Sequence, residues 1–264
     1  MDYSCKNIIL SPNENGQGVR ESVVGSNGKS GSLILHILFT SLVGLLTSVP
    51  EVLAADINGD GNADLLWRNV GTGEVQVWFL KGATVQGKAT FGQVSLDWQI
   101  VGVEDFNGDG RADILWQHST EGWLALWYMG PDGLTAMSYS LLSIPQMTDP
   151  NWVIVGAGDI NGDNVADIVW QSQSNGLLAA WLMSGSQVFS WSLLSTYTPD
   201  LNWKVMGVGD VEGNGLADLI WHNVATGQVA VWSLNGYTVL NMYLIYNGSS
   251  PAIADPAWRL VGPG

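Results

Sequence analysis

The sequence predicts an all-β protein, a β-propeller of about four blades with about 50 residues in each. A nine-residue pattern, Asp-x-Asn-Gly-Asp-Gly-x-Ala-Asp, opens at Asp56, Asp105, Asp159 and Asp210, at intervals of 49, 54 and 51 residues. A period near fifty residues is the size of a propeller blade of four strands. Each loop is followed by short β-branched and aromatic runs bounded by Gly and Asn, which predict strands. The 33 glycines suit tight turns rather than helices.

The repeated pattern is a candidate binding loop for a divalent cation. Oxygen-bearing side chains recur at positions 1, 3, 5 and 9 with Gly between them, and position 7 offers its main-chain carbonyl. Ca²⁺ takes oxygen ligands of this kind, whereas Zn²⁺ and Cu²⁺ favour nitrogen and sulfur. We therefore predict about four Ca²⁺ ions, one in each loop. The alternative is a metal-free loop held by Asx turns.

The predicted ligand positions are equivalent in the four loops. They are Asp56, Asn58, Asp60, Asn62 and Asp64 in loop 1; Asp105, Asn107, Asp109, Arg111 and Asp113 in loop 2; Asp159, Asn161, Asp163, Val165 and Asp167 in loop 3; and Asp210, Glu212, Asn214, Leu216 and Asp218 in loop 4. In loop 3, Asn164 replaces the turn glycine, and we expect the loop to survive because Asn tolerates a left-handed backbone. In loop 4, the longer Glu212 is expected to crowd the ion.

Tryptophan marks three further positions in every repeat. The first group ends the strand after the loop, the second follows eleven residues later, and the third precedes the next loop by seven residues. The groups are Trp67, Trp116, Trp170 and Trp221; Trp78, Trp127, Trp181 and Trp232; and Trp98, Trp152, Trp203 and Trp258. We expect these twelve to pack between blades. Trp123 and Trp191 fall outside the pattern and are expected to be exposed or specific to one site.

The four loops, the three Trp positions and the period together resemble the FG-GAP/VCBS repeat family. That family includes the calcium-loop blades of integrin α-subunits and propeller lectins of fungi and bacteria. The resemblance covers about Ala55–Gly264. It implies β-propeller blades with a calcium loop between the first two strands of each blade. Relatives commonly carry seven blades, whereas this chain has repeats for four.

The repeats occupy residues 55–264, and residues 1–54 do not match them. The last strand signal, Trp258–Gly262, is expected to close the first blade and so a four-bladed ring. Small residues such as Gly102, Gly156 and Gly207 suit crowded inner strands. Two alternatives stay open: two chains paired as an eight-bladed ring, and a fragment of a longer propeller.

The first 54 residues have the features of a signal peptide. The apolar run Leu33–Leu46 follows Lys29 and precedes a small-residue cleavage site at Val52-Leu53-Ala54. The run is short for a membrane span, and an uncleaved anchor is the alternative. We expect a secreted, extracellular or cell-surface protein with no membrane insertion after cleavage. The single cysteine, Cys5, lies in this leader, so the exported part has no disulfide, and metal loops would stabilise it instead.

The net charge of −15 lies largely in the loops and argues against nucleic acid and anionic membranes as partners. The candidate ligand site is instead a set of residues around the first Trp of each repeat. Hydrogen-bonding side chains that recur there are expected to line pockets between blades, unless they only form turns. The candidates are Trp67, Arg68, Asn69, Trp116, Gln117, His118, Trp170, Gln171, Trp221, His222 and Asn223.

The function favoured by these features is that of a secreted, calcium-binding recognition module. By resemblance, its partner is an extracellular glycan. The alternatives are a structural or adhesion scaffold that binds a cell-surface protein, with a homodimer as one assembly, and a polysaccharide-degrading enzyme domain. No nucleophile motif accompanies His118 and His222, and the carboxylates are committed to the loops. We therefore predict a non-enzyme without catalytic residues.

Overall fold

The structure is a computed structural model that describes residues 8–12, 19–23, 54–133, 136–194 and 200–251. The chain divides into two compact units, Met1–Val49 and Pro50–Gly264. In the first unit, β1 (Ile8–Pro12) and β2 (Val19–Val23) pair as an antiparallel hairpin. The predicted apolar run Leu33–Leu46 and the predicted closing strand Trp258–Gly262 lie outside the described residues.

The second unit contains four sheets of four antiparallel strands, one for each repeat. Blade 1 consists of β3 (Ala54–Ala55), β4 (Asp64–Arg68), β5 (Glu74–Lys81) and β6 (Thr84–Gln93). Blade 2 consists of β7 (Trp98–Glu104), β8 (Asp113–His118), β9 (Trp123–Met129) and β10 (Ala136–Gln146). In both blades the strands are hydrogen-bonded in sequence order.

Blades 3 and 4 repeat this order. Blade 3 consists of β11 (Trp152–Gly158), β12 (Asp167–Ser172), β13 (Leu178–Ser184) and β14 (Gln187–Leu193). Blade 4 consists of β15 (Trp203–Gly209), β16 (Asp218–Asn223), β17 (Val229–Asn235) and β18 (Thr238–Leu244). A short hairpin of β19 (Tyr246–Asn247) and β20 (Ser250–Pro251) follows.

These sheets confirm the predicted all-β class and the four blades. Strands and turns account for the described residues, and no helix occurs among them. Correspondingly, this part of the chain holds no helix long and apolar enough to cross a bilayer. Each acidic loop connects the first strand of its blade to the second, as the repeat pattern predicts.

The first strands of blades 2, 3 and 4 lie next to one another on the inner side of the array. Their glycines allow this close approach. A Cβ on Gly156 would lie 2.6 Å from Val208 Cγ2, and a Cβ on Gly158 would lie 2.8 Å from Ala217 Cβ. Real Cβ atoms do not approach that closely, so larger residues here would force neighbouring blades apart.

The apolar core consists of three clusters, each shared by two consecutive blades. In the first, Val75 and Val77 of blade 1 pack against Ile114 and Trp116 of blade 2. Equivalent clusters join blades 2 and 3, and blades 3 and 4. Because a four-stranded sheet cannot bury its apolar face alone, each blade depends on the next one for burial.

Candidate functional site

The acidic loops share one network of hydrogen bonds from main-chain N–H groups to side-chain oxygens. In loop 2, the Asp105 carboxylate accepts from the N–H groups of Gly108 and Gly110, both at 2.7 Å. Asn107 Oδ1 accepts from Asp109 N at 2.9 Å, and Asp109 Oδ1 accepts from Arg111 N at 3.0 Å. The carboxylate at position 1 therefore orients the whole turn.

Loops 1 and 3 repeat these contacts closely. Asp56 accepts from the N–H groups of Gly59 at 2.8 Å and Gly61 at 2.7 Å. Asp159 accepts from Asn164 N at 2.7 Å, although Asn164 stands where the other loops have Gly. Asn164 has a φ of 64°, so the expected left-handed Asn is present and the loop keeps its shape.

Loop 4 keeps the turn around Asp210, which accepts from Gly213 N at 2.7 Å and Gly215 N at 2.8 Å. The substituted pair at positions 3 and 5 forms a contact of its own, because Asn214 Nδ2 donates to Glu212 Oε2 at 3.3 Å. The longer Glu212 side chain therefore lies against position 5.

The side chains at position 7 have different surroundings in the four loops. Arg111 forms an ion pair with Asp109 at 2.9 Å, and Asn62 Nδ2 donates to Asp60 Oδ1 at 2.9 Å. Arg111, Val165 and Leu216 each lie over the position-4 glycine of the preceding loop, which is Gly59, Gly108 and Gly162 respectively. Only their main-chain carbonyls are common to all four loops, which is the role that the sequence assigns to this position.

The Asp at position 9 is fully buried in every loop, and in loops 1, 2 and 3 it ties the loop to the third strand of its blade. Asp113 accepts from Phe106 N at 3.2 Å and from Met129 N at 2.9 Å. Asp64 and Asp167 make the same pair of contacts. Asp218 accepts from the N–H groups of Val211 and Glu212.

Burial raises the pKa of this carboxyl. The pKa values of Asp113 and Asp167 rise to about 7, chiefly through desolvation and secondarily through the charges of neighbouring loop carboxylates. Desolvation likewise raises the pKa values of Asp64 and Asp218. A buried carboxyl whose charged neighbours are also carboxylates is an environment that a bound cation would relieve.

The loops supply the oxygen donors that a hard divalent cation prefers, namely carboxylates, amide oxygens and main-chain carbonyls. Across the described ranges, no group of three or more His, Cys, Asp or Glu side chains is arranged to hold a metal. The three carboxylates of a loop therefore do not converge on one point in this structure, and their oxygens accept main-chain N–H groups instead. The donor chemistry of the loops fits Ca²⁺, with the buried position-9 carboxylate as the group that gains most from the charge.

The polar residues beside the first Trp serve mainly as braces and turn caps. Arg68 donates to the carbonyls of Trp98 and Ser95 and lies over the Trp116 ring at 5.2 Å. Gln171 braces β15 by accepting from Val205 N at 3.3 Å and donating to the Trp203 carbonyl at 3.4 Å. In blades 1 and 2 this position is only partly buried, as it is for Gln117.

The next position closes the turn after this strand. Asn69 Oδ1 accepts from the N–H groups of Gly71 and Thr72, and Asn223 Oδ1 accepts from Ala225 and Thr226. His118 Nδ1 contacts Glu121 N at 3.3 Å, and its ring lies edge-on to Trp98. His222 is 1% exposed, and neither ring nitrogen has a hydrogen-bond partner.

The first and second Trp of each repeat form a ring pair. The centroids lie 4.9 Å apart for Trp67–Trp78, 5.0 Å for Trp116–Trp127, 4.9 Å for Trp170–Trp181 and 4.5 Å for Trp221–Trp232. The indole N–H groups of Trp116, Trp170 and Trp221 are buried and lack a hydrogen-bond partner. The same unpaired donor thus recurs in three consecutive blades.

Aromatic pockets adjoin two of these pairs. A cavity of about 360 Å³ is lined by Ile144, Met147, Trp152, Trp170, Ala179, Trp181, Trp191 and Leu193. The corresponding cavity of blade 4, about 190 Å³, is lined by Trp203, Trp221, Ala230, Trp232, Met242, Tyr243 and Leu244. All three repeated Trp positions line each pocket.

The pockets include residues outside the ligand set predicted from the sequence. Strand register brings Trp191 opposite Trp181, and Met242 takes the same place opposite Trp232. Trp191 is 64% exposed, as expected for a Trp outside the repeat pattern. The strand alternation of β14 was the available signal, because it places Phe189, Trp191 and Leu193 on one face.

The repeated acidic loops on antiparallel four-stranded blades define a class of repeat protein. The model of the FG-GAP-like repeat matches residues 56–116 and 105–170, which contain loops 1, 2 and 3. The chain therefore contains FG-GAP-like repeats over residues 56–170, and these matches support the resemblance to the FG-GAP repeat family seen in the sequence. The search of curated proteins found no match.

Comparison with solved structures gives matches of low identity and low TM-score. One is the Tc holotoxin pore of Photorhabdus luminescens (mutation TccC3-D651A), with 13% identity, a TM-score of 0.38, and coverage of 94% of this chain and 15% of that chain. Another is a nidogen/laminin complex, with 10% identity, a TM-score of 0.25, and coverage of 68% of this chain and 92% of that chain. This chain thus spans a small part of the toxin chain.

Proposed function

We propose that this protein is a calcium-stabilised recognition module that binds carbohydrate in the tryptophan-lined pockets of its blades. The observation that carries the proposal is the buried, unpaired indole N–H that recurs at Trp116, Trp170 and Trp221. A buried donor without an acceptor is costly. In blades 3 and 4 the indole that carries this donor also lines a pocket, so a ligand there would lie against the same ring.

The pocket of blade 3 has the composition that a sugar requires. Trp181 and Trp191 contribute aromatic surface that suits the apolar C–H face of a pyranose, and the buried Trp170 ring, whose N–H lacks a partner, lines the same pocket. Its volume of about 360 Å³ lies in the range of small-molecule sites. An apolar aromatic wall of this kind suits a ligand with an apolar face.

Calcium has a structural role in this proposal. The carboxylates at positions 1 and 9, the side-chain oxygens at positions 3 and 5 and the carbonyl at position 7 would hold one ion in each loop. The ion would offset the mutual repulsion of these carboxylates and fix the connection between the first two strands. Because the third strand bonds to the position-9 carboxylate, the loop also supports the strand that carries the second Trp.

The experiment is binding of the purified protein to a glycan array, followed by titration with the best ligand. Trp191→Ala removes one wall of the blade 3 pocket and is expected to weaken binding at least tenfold. Phe189→Ala is the matched control, because Phe189 lies on the same strand, is 58% exposed and does not line the pocket.

The role of the indole donor is tested separately with Trp170→Phe, which keeps an aromatic ring but removes the N–H. Loss of one hydrogen bond of about 1 kcal/mol corresponds to about a fivefold weaker Kd. No binding to any glycan, or equal binding by the Trp191→Ala and Phe189→Ala variants, would refute the carbohydrate proposal. A protein ligand captured at the same pockets would instead favour the adhesion scaffold.

A further inference from the structure

Consecutive blades are joined by a junction that repeats with the same main-chain atoms. The N–H of the Ala at position 8 of one loop donates to the carbonyl of the Asp at position 1 of the preceding loop. These bonds are Ala112 to Asp56 at 2.9 Å, Ala166 to Asp105 at 2.8 Å and Ala217 to Asp159 at 2.7 Å. Equal bonds at three junctions mean that each blade is placed on the preceding one in the same way.

A second bond reinforces two of these junctions. It comes from the turn between the third and fourth strands of the following blade. In blade 3, Gly185 N donates to the Phe106 carbonyl at 2.9 Å, and in blade 4, Gly236 N donates to the Ile160 carbonyl at 2.6 Å. In the first junction, Gly133 of the equivalent turn approaches Asn58 so closely that a Cβ would lie 2.9 Å from Asn58 Cβ. Each loop is therefore covered by the turn of the following blade.

Each junction buries one face of each blade, which we call the leading and the trailing face. The leading face of blade 1 is Ala63, Leu65 and Trp67, on alternate positions of β4 and the residue before it. Its counterparts in blades 2, 3 and 4 are all buried, with the Trp at 1%, 0% and 1% exposure. In blade 1, Trp67 is 42% exposed, Ala63 is exposed and Leu65 is only half-buried.

The trailing face of blade 4 is Val211, Ile220 and Val229, and it is uncovered in the same way. The residue at loop position 2 is 0% exposed in Ile57, Phe106 and Ile160, but Val211 is 51% exposed. Ile220 and Val229 are half-buried, whereas their counterparts in the other blades are buried. Among the described residues, no main-chain N–H of another blade donates a hydrogen bond to the Asp210 or Val211 carbonyl.

The two uncovered faces are complementary because each is one half of the same junction. The leading face offers the free donor position at Ala63 with the Trp67 ring, and the trailing face offers the acceptor carbonyls with the apolar wall that receives such a ring. We propose that a second copy of this chain docks here head-to-tail. The leading face of each copy would cover the trailing face of the other, which gives a closed ring of eight blades.

A second copy is favoured over closure within one chain by the three equal junctions. They fix one step from blade to blade, and after three such steps the trailing face of blade 4 remains exposed instead of lying on blade 1. Closure within the chain would need a different step. Two copies instead form two further junctions of the observed kind and leave no uncovered face.

The test is the mass of the full chain by sedimentation velocity and native mass spectrometry, with variants on each face. The wild type is expected at twice 28.3 kDa. Ala63→Gln and Val211→Gln each add polar bulk to one face and are expected to give monomers. Val70→Gln is the control, because Val70 is 82% exposed and outside both faces. It is expected to stay a dimer.

Mixing the two monomeric variants gives the decisive result. Each retains the face that the other lacks, so the mixture is expected to regain a two-chain species through one intact junction, whereas neither variant forms it alone. Three outcomes would overturn the proposal. They are a monomeric wild type with a lower Tm in Val211→Gln, which indicates closure within the chain; a monomeric wild type that neither variant affects; and open chains of more than two copies.

Discussion

The buried carboxylate at loop position 9 gives the sharpest test of how the loops hold the blades, and Asp113 is the best place to apply it. Asp113→Ala leaves the N–H groups of Phe106 and Met129 without their acceptor, and both residues are buried. An unsatisfied buried donor costs about 1–3 kcal/mol, so the pair should lose about 4 kcal/mol. For a repeat region of this size, that predicts a fall in Tm of roughly 8–16 °C.

The measurement is thermal unfolding by circular dichroism in excess chelator, where no metal contributes. Asp149→Ala is the matched control: its carboxylate also accepts from a main-chain N–H, that of Asn151 at 2.9 Å, but at an exposed turn. This control should melt within about 2 °C of the wild type, as surface substitutions do. If Asp113→Ala and Asp149→Ala melt together, the buried carboxylate does not support the loop and this explanation is wrong.

Three further outcomes are expected. Calcium at about 100 times its Kd should add about 2.7 kcal/mol per site, so the wild type should melt well above its chelated form, and equal values would exclude calcium as a staple. In chelator and between about pH 4 and 7, Asp113 and Asp167 keep their protons in the folded protein but lose them in the unfolded chain. The free energy of unfolding should therefore rise as pH falls through this window. The Asp113→Asn, Asp167→Asn double variant should lose that rise when stability is measured by denaturant titration. Asn164→Gly should leave the Tm unchanged or raise it, whereas Asn164→Ala should lower it by strain of about 1 kcal/mol at a φ of 64°.

The sequence predicts the blades well because their determinants are local and repeated four times. Loop spacing, strand alternation and the Trp positions all follow from main-chain geometry within one repeat. The left-handed Asn164 could be anticipated for the same reason, since its conformation is set by the turn itself. The buried position-9 carboxylates, in contrast, take their pKa from strands that a local pattern does not show.

The pockets were harder to predict because they combine residues from separate strands and from two blades. Ile144 belongs to the last strand of blade 2 and Met147 follows that strand, yet both line the pocket of blade 3. The polar residues beside the first Trp looked like ligand groups because they recur at a strand end. Arg68 and Gln171 instead form hydrogen bonds with main-chain groups in or just before the first strand of the following blade. These bonds depend on how the blades are arranged, which the sequence pattern does not show.

One position on the fourth strand, opposite the second Trp, carries a different residue in each blade. The residue paired with the second Trp on the fourth strand is Lys88, Tyr139, Trp191 and Met242 in blades 1 to 4. Lys88 Nζ lies 3.7 Å from the centroid of the Trp78 ring, so in blade 1 a cation lies over the second Trp, where the strand register places an aromatic residue opposite it in blades 2 and 3. Because the fourth strand is outermost and its side chains are largely exposed, it can vary without disturbing the junctions. The repeated Trp residues hold the blades, and this exposed position gives each blade a different surface beside its Trp pair.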